Sequence, residues 1–247
     1  AGRFDSKTHL RLIQDCGVTS FCAPPTAYRM LILEDLSKFD LTGIRHSCAA
    51  GEPLNPEIIK VWKDHTGTTI YDGFGQTETV NLIANFPCMP VKFGSMGKPT
   101  PGFEIDIVDD EGNPLPVGEE GHIAVKVKPS FPVGLFREYW RNEEATSESF
   151  AGDWYFTGDR AVRDEDGYFW FLSRSDDVII SSGYRIGPFE VESALIEHPA
   201  VAESAVVSSP DETRGEVVKA FIVLAEGYTG SDELTKEIQS HVKSVTA

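Results

Sequence analysis

The chain has 247 residues, enough for one or two domains with a well-buried core. Its formal net charge of −17 argues against the classes of protein that bind nucleic acid or anionic membranes through general positive charge. No apolar run approaches the ~20 residues that a bilayer-spanning helix needs. No secretion signal is visible, although a targeting segment upstream of Ala1 would escape notice, so we expect the cytoplasm, or the mitochondrial matrix in a eukaryote.

The four cysteines and six histidines show no spacing typical of a zinc site or a disulfide framework. We therefore predict neither, and expect reducing surroundings. The cysteines are expected to be small, buried hydrophobic residues; they are Cys16, Cys22, Cys48 and Cys88.

The first hundred residues alternate helical and extended patterns, which favours a parallel α/β sheet. Predicted helices cover residues 7–15, 26–36 and 56–65, and predicted strands cover residues 18–22, 44–50 and 68–71. Asn55 is a suitable N-cap for the third helix.

From Gly102 the pattern alternates with period two between turn sequences, which predicts antiparallel β-structure in a small barrel or sandwich. Its predicted strands cover residues 104–108, 121–128, 154–156, 160–163 and 168–172. Beyond Ser175 we predict a small α+β unit, with a helix that starts at Pro188. Its other elements are strands at 201–208 and 217–224 and a helix at 231–245.

The first motif that indicates chemistry is residues 71–78, which read YDGFGQTE. It follows a predicted strand and precedes an apolar stretch that we predict to be helical. Glycines in such a turn let the backbone approach a ligand closely. Thr77 offers a hydroxyl to a phosphate, and Glu78 offers a hard oxygen to Mg²⁺. Taken alone, this motif is weak evidence, and an ordinary strand-to-helix turn is the favoured interpretation.

Two further motifs carry polar side chains near glycines. Residues 154–160 read WYFTGDR, where Asp159 at a predicted strand end is suited to bind a ribose diol, although a turn aspartate that caps the backbone is the simpler interpretation. Residues 172–192 join two folding units. They contain Arg174 and Arg185, which are candidates for a phosphate-bearing ligand in this acidic chain, or members of surface ion pairs in a solvated hinge.

These three motifs, in this order and together with residues 50–54 (AGEPL), resemble the adenylate-forming superfamily, and within it the medium-chain (butyrate-type) acyl-CoA synthetases. The resemblance covers nearly the whole chain. It implies an α/β fold in which residues 1–174 form the C-terminal portion of a large AMP-binding domain, with a parallel α/β part and a small β-barrel. Residues 175–247 would form an incomplete α+β lid domain.

The resemblance also implies the activity. ATP and a short- or medium-chain carboxylic acid would give an acyl-adenylate and pyrophosphate, and CoA would then release AMP and form the acyl-CoA. ATP, Mg²⁺ and CoA are the implied cofactor and co-substrates. The implied partners are small molecules, with no nucleic acid; the sequence does not indicate an oligomeric state.

By the same resemblance, residues are assigned to the nucleotide, the metal and CoA. Thr77 and Glu78 are the implied catalytic residues, with Thr77 at the α-phosphate and Glu78 as the Mg²⁺ ligand. Asp159 would hold the ribose, Arg174 would lie beside the ribose and phosphate, and Ser175-Asp176 would be the hinge of the lid. The adenine slot would comprise Gly51, Glu52, Pro53, Asp72, Gly73 and Phe74, and Gly75 and Gln76 would line part of the acyl pocket. The CoA and lid-interface residues would be Ser182, Gly183, Tyr184, Arg185 and Arg214.

The chain departs from the family pattern in two respects. Residues 1–247 contain no Ser/Thr/Gly-rich loop that ends in Pro-Lys, and no late Gly-Lys turn; Lys243 lies in a predicted helix without that context. We therefore expect the missing loop and catalytic lysine to lie outside these residues, and expect this polypeptide alone to be inactive. Two alternatives are an adenylation domain that loads a carrier protein and a non-catalytic nucleotide-binding module.

Overall fold

The structure is a computed structural model that describes residues 4–246. These residues divide into two compact units. The first runs to Thr157 and includes Ala161–Phe171, and the second takes in Gly158–Arg160 and continues from Leu172. Across the described residues, no helix has the length and apolarity needed to cross a membrane.

The first unit begins with a five-stranded sheet and its covering helices. The helices are α1 (Ser6–Asp15), α2 (Pro25–Ile32) and α3 (Pro56–Thr66), with a short 3₁₀ turn at Leu36–Lys38. The strands are β1 (Ser20–Ala23), β2 (His46–Ala50), β3 (Ile70–Gly75), β4 (Asn81–Ala84) and β5 (Lys98–Pro99). Strands β1, β2 and β3 are parallel, whereas β4 and β5 join as antiparallel neighbours.

A buried apolar cluster joins this sheet to its helices. Tyr28 from α2 and Trp62 from α3 are fully buried and meet edge-to-face at 5.0 Å. The side chain of Asn55 accepts a hydrogen bond from the amide of Glu57, which confirms the predicted N-cap of α3. Gly67 ends that helix with φ of 74°, a conformation that glycine adopts without steric cost.

The sheet that follows along the chain is antiparallel, and it belongs to the first unit except for Gly158–Arg160 and residues 172–174, which belong to the second. Strands β6 (Ile105–Val108), β7 (Glu120–Lys126), β9 (Trp154–Arg163) and β10 (Phe169–Arg174) form a sheet in the order β10-β9-β7-β6, and the short β8 (Phe150–Ala151) pairs with β9. Helix α4 (Glu143–Ser149) precedes β8 and was not predicted. This sheet corresponds to the predicted small β-barrel.

The second unit is the predicted α+β fold. Its sheet has the order β12-β11-β14-β13, with β11 (Ile179–Ser181), β12 (Tyr184–Ile186), β13 (Val201–Asp211) and β14 (Gly215–Leu224). Helices α5 (Pro188–Ile196) and α6 (Asp232–Thr246) pack against it through a core that includes Ile179, Val191, Leu195 and Ile238.

Several predicted boundaries were wrong. The helix expected over 26–36 ends at Ile32. The chain then leaves the helical conformation at Asp35, with ψ of 87°, and the 3₁₀ turn that follows places Leu36 in the core. The segments 154–156 and 160–163 are one strand, so Asp159 lies in mid-strand and not in a turn. The connecting segment after Ser175 folds into the β11–β12 hairpin.

The expectation for the cysteines was also wrong. Cys16, Cys22 and Cys88 are exposed, and Cys48 is half-buried. The physical reason is local: Cys22 and Cys48 are register neighbours on the same side of β1 and β2, opposite to the side on which Phe21 joins the core. Burial raises the pKa of the Cys48 thiol to about 11.

Candidate functional site

The carboxyl ends of the three parallel strands converge at one edge of the first sheet. Ala50 on β2 pairs with Gly73 on β3, so the segment that starts at Gly51 lies beside the end of β3. Glu52 accepts hydrogen bonds from the amide of Thr26 at 3.2 Å and from its hydroxyl at 2.6 Å. Open α/β sheets bind ligands at this kind of edge. The two predicted segments of the adenine slot, residues 51–53 and residues 72–74, thus lie at the ends of adjacent strands, and Gly75 and Gln76 continue the second segment.

Asp72 is a buried carboxyl group on β3. Only 6% of the residue is exposed. Burial raises the pKa of Asp72 to about 7, although a hydrogen bond from the amide of Gly73 acts in the opposite direction. Near neutral pH this group can therefore act as a donor or as an acceptor at the sheet edge.

The glycines of the first motif let β3 turn back as a hairpin. A Cβ on Gly75 would lie 2.5 Å from the carbonyl oxygen of Val80, and one on Gly73 would lie 2.8 Å from the Asn81 amide group. The apolar stretch that follows is β4, which pairs antiparallel with β3, and not a helix as predicted. The prediction of a helix was wrong because a short apolar run has the same sequence pattern in a buried strand and in a buried helix.

The tip of this hairpin carries Gln76, Thr77 and Glu78. The side-chain amide of Gln76 donates to the carbonyl oxygen of Thr157 at 2.7 Å, and its side-chain oxygen accepts from the Tyr155 hydroxyl at 2.8 Å. Thr77 is exposed. A fixed tip with an exposed hydroxyl is suited to contact a phosphate.

Glu78 is held by a segment that sequence reasoning missed. The Tyr139 hydroxyl donates to Oε1 of Glu78 at 2.9 Å, and the amide of Phe136 donates to the carbonyl oxygen of Glu78 at 2.7 Å. Nothing in the local sequence of 131–150 indicated this role beyond its aromatic content. The described residues contain no group of three or more His, Cys, Asp or Glu side chains that could hold a metal ion.

In the second unit, Asp159 and Arg174 form an ion pair. Asp159 is 4% exposed, and its Oδ1 lies 3.4 Å from Nη1 of Arg174. The Arg174 Nε also donates to Asp176 at 3.1 Å. Burial alone would lower the pKa of Arg174. The negative charges of Asp159, Asp176 and Asp177 have the larger effect, so the pKa is raised. Gly158, at φ of 77°, leaves space for the guanidinium, since a Cβ there would lie 3.3 Å from Nη2.

The predicted CoA-side residues of the second unit lie on two adjoining hairpin turns. Ser182 and Gly183 have φ of 51° and 84°, as in a type I′ turn between β11 and β12. The amide of Ser182 donates to the carbonyl oxygen of Arg214 at 3.0 Å, which ties the two turns together. The Asp211 carboxylate accepts from the amide of Arg214 at 2.8 Å. Arg214 is exposed, as are Tyr184 and Arg185 on β12.

Comparison with known proteins places these residues in a family context. Residues 1–140 match the family of AMP-binding enzymes, and residues 190–247 match the AMP-binding enzyme C-terminal domain. The chain is 58% identical to the acyl-coenzyme A synthetase ACSM3, mitochondrial, of Rattus norvegicus, over 99% of this chain and 43% of that protein. It is 54% identical to the acyl-coenzyme A synthetase ACSM5, mitochondrial, of Homo sapiens, with the same coverage. The chain thus spans less than half the length of these curated relatives.

Solved structures of adenylate-forming enzymes share the fold. An anthranilate CoA ligase in complex with anthranoyl-AMP superimposes with a TM-score of 0.88 at 37% identity, over 98% of this chain and 46% of that one. A benzoate CoA ligase from Burkholderia xenovorans LB400 gives a TM-score of 0.85 at 32% identity, over 100% of this chain and 49% of that one. The predicted fold class is therefore confirmed.

Proposed function

The chain belongs to the family of AMP-binding enzymes, and on that premise we propose that the whole protein is an ATP-dependent acyl-CoA synthetase for short- or medium-chain carboxylic acids. The observation that carries this proposal is the identity of 58% over 99% of the chain to a protein named as an acyl-coenzyme A synthetase. The buried and hydrogen-bonded geometry around Gln76, Glu78 and Asp159 supports it, since these side chains are held in place as a binding site requires.

The reaction we propose has two steps. A carboxylate is a poor electrophile, so its oxygen first attacks the α-phosphorus of ATP and displaces pyrophosphate, which gives an acyl-adenylate. The thiol of CoA then loses its proton to solvent, the sulfur attacks the acyl carbonyl carbon, and AMP leaves with the electrons of the broken acyl–oxygen bond. Negative charge gathers at the α-phosphorus in the first step, so donors and cations aimed at that point lower the barrier.

In the first unit, we propose that the edge beyond β2 and β3 receives the adenine. Gly51, Glu52 and Pro53 would form one side, with Asp72, Gly73 and Phe74 on the other, where Phe74 would stack on the base. Gly75 and Gln76 would set the position of the tip, where the Thr77 hydroxyl would bond the α-phosphate. Catalytic roles fall to Thr77 and Glu78.

We propose Glu78 as a magnesium ligand. Its carboxylate fits this ion, because Mg²⁺ is commonly held by one or two carboxylates together with substrate phosphates and water, without a dedicated cage of protein ligands. When bound, Mg²⁺ would neutralise charge on the phosphates. Glu78 would supply one oxygen, in a direction fixed by its bond to Tyr139.

For the second unit, we propose that Asp159 accepts hydrogen bonds from the ribose hydroxyls and that Arg174 donates to the ribose and phosphate. Ser182, Gly183, Tyr184 and Arg185 would line the path of the CoA chain. The exposed Arg214 would pair with a CoA phosphate. A chain of net charge −17 repels the CoA phosphates, so a local positive charge is needed to bind them. Residues 175–247 would act as the lid, with Ser175-Asp176 as its hinge.

The test is a product balance on the natural protein with ATP, CoA and carboxylic acids from butyrate to decanoate. We expect one AMP, one pyrophosphate and one acyl-CoA for each acid consumed. Release of ADP, or AMP release that does not depend on the acid, would refute the proposal. The names of the mitochondrial relatives support a location in mitochondria, which fractionation of the source cells would test.

A further inference from the structure

The Glu78 carboxylate has a single hydrogen-bond partner on its side chain within the described residues. Oε1 accepts from the Tyr139 hydroxyl at 2.9 Å, and no described residue bonds Oε2. The hydrogen bond to Oε1 holds the carboxylate group in one orientation. It thereby also sets the direction in which Oε2 points. This is the arrangement by which outer groups orient carboxylate ligands at metal sites.

The segment that carries Tyr139 is held by a backbone hydrogen bond and by ring contacts. The amide of Tyr139 donates to the Thr146 hydroxyl at 2.9 Å, which fixes its backbone against α4. The ring of Tyr139 lies 4.7 Å from the ring of Phe136, which in turn lies 5.5 Å from those of Phe150 and Tyr155. A phenol on this aromatic base has little freedom to follow a moving carboxylate.

The backbone joins the same two segments. The amide of Phe136 donates to the carbonyl oxygen of Glu78 at 2.7 Å, so both the main chain and the side chain of Glu78 are fixed by residues 136–139. Tyr155 holds the neighbouring Gln76 by a phenol in the same manner, but Gln76 is uncharged and is no candidate metal ligand. Tyr139 is therefore the phenol that acts on the candidate ligand.

We propose that Tyr139 is a positioning residue for the divalent cation, which it serves by fixing the carboxylate of Glu78. The inference rests on the proposed function, because it takes Glu78 as the ligand of a nucleotide-bound cation. It concerns the affinity for metal-loaded nucleotide, and it predicts no direct contact between Tyr139 and the substrate.

The test measures binding and not turnover. Calorimetry gives the affinity of the natural protein for α,β-methylene ATP with Mg²⁺ and with EDTA, and the ratio of the two is the metal gain. Tyr139→Phe should reduce the metal gain about tenfold, the low end of the effect of outer groups at metal sites. Its affinity for the metal-free analogue should be unchanged. Glu78→Gln should abolish the gain, and Tyr139→Phe in that background should have no further effect.

Two other variants separate positioning from general damage. Tyr168→Phe removes a phenol that donates to the carbonyl oxygen of Pro90, and should retain the full metal gain. Thr146→Val removes the hydroxyl that accepts from the amide of Tyr139 and leaves the Tyr139 phenol in place. It should reduce the metal gain by less than Tyr139→Phe does.

The outcomes are distinguishable. An unchanged metal gain in Tyr139→Phe, with Glu78→Gln defective, would overturn the role of Tyr139 alone. A wild-type protein that binds no analogue would overturn the proposed function and this inference with it. An equal loss of metal-loaded and metal-free affinity in Tyr139→Phe would show a purely structural role.

Discussion

Asp72 accepts a hydrogen bond from the amide of Gly73 at 3.0 Å, yet burial still raises the pKa of Asp72 from 3.8 to about 7. Desolvation therefore exceeds the stabilisation that one backbone donor gives to the carboxylate. The group lies on β3 at the edge that we propose for adenine, so its protonation state affects both stability and binding.

The first prediction concerns the pH dependence of stability. Because the folded-state pKa is raised, the contribution of Asp72 is fully present below pH 3.8 and is lost as the pH rises to about 7. One pKa unit corresponds to about 1.4 kcal/mol. Between pH 5 and 7, the free energy of unfolding of wild type should therefore fall by roughly 2 kcal/mol relative to Asp72→Asn, as measured by urea unfolding.

Asp164→Asn is the matched control for this prediction. In the wild type, the Asp164 carboxylate accepts hydrogen bonds from Lys92, Tyr168 and Trp170. Their effect exceeds that of desolvation and lowers the pKa of Asp164 to about 2. The effect of Asp164→Asn on the free energy of unfolding should therefore be constant from pH 5 to 8. A wild-type curve parallel to that of Asp72→Asn would show that Asp72 is ionised in the folded state throughout.

The second prediction concerns the β3–β4 hairpin. Gly75→Ala places a Cβ 2.5 Å from the backbone oxygen of Val80, so the strands must separate. We expect a loss of about 1–3 kcal/mol in unfolding free energy and at least a tenfold weaker affinity for AMP in calorimetry. Gly43→Ala, where the nearest atom is 3.8 Å away, should change neither quantity. Equal affinity in both variants would exclude the hairpin tip from the nucleotide site.

The third prediction concerns the ion pair of Asp159 and Arg174. Arg174→Ala removes the guanidinium that pairs with a carboxylate only 4% exposed, whereas Asp159→Asn leaves a half-exposed guanidinium that still donates to Asp176. Thermal unfolding should thus show a larger loss for Arg174→Ala. Both variants should bind AMP more weakly, by tenfold or more. A larger loss of stability in Asp159→Asn would contradict the burial argument.

The fourth prediction separates free CoA from a carrier protein as the acyl acceptor. Arg214→Ala should raise the KM for CoA about tenfold, since a charge-assisted bond to phosphate is lost, while the rate of pyrophosphate release without CoA stays unchanged. Lys236→Ala, an exposed cation on α6, should alter neither. An unchanged KM for CoA in Arg214→Ala would favour the carrier-protein alternative.

Sequence reasoning recovered the fold class because local signals agreed with the global fold. Asn55 and Pro56 mark the start of α3, and Pro188 marks that of α5, where propensity and capping act locally. The wrong predictions concern segments whose secondary structure is determined by contacts with residues distant in sequence. The apolar run after Val80 forms a strand because β3 offers it a partner, and residues 154–163 form one strand because β7 pairs along it.

The site was predicted in part for the same reason. Within the first motif, Glu78 was proposed from its carboxylate and from the resemblance, and Gln76 from the resemblance; both assignments stay predictions. Their partners Tyr139 and Tyr155 lie 61 and 79 residues away in sequence, and only the fold brings them to the hairpin. The expected inactivity of the isolated 247-residue polypeptide stays a prediction, which a pyrophosphate-release assay with ATP and butyrate would test.

The most direct test of the central claim follows an oxygen atom. The natural protein is given octanoate labelled with ¹⁸O in both carboxylate oxygens, together with ATP, Mg²⁺ and CoA, and the products are analysed by mass spectrometry. Attack of the carboxylate on the α-phosphorus predicts one ¹⁸O atom in each AMP and none in pyrophosphate. Unlabelled AMP, or ¹⁸O in inorganic phosphate alongside ADP, would contradict an acyl-adenylate intermediate.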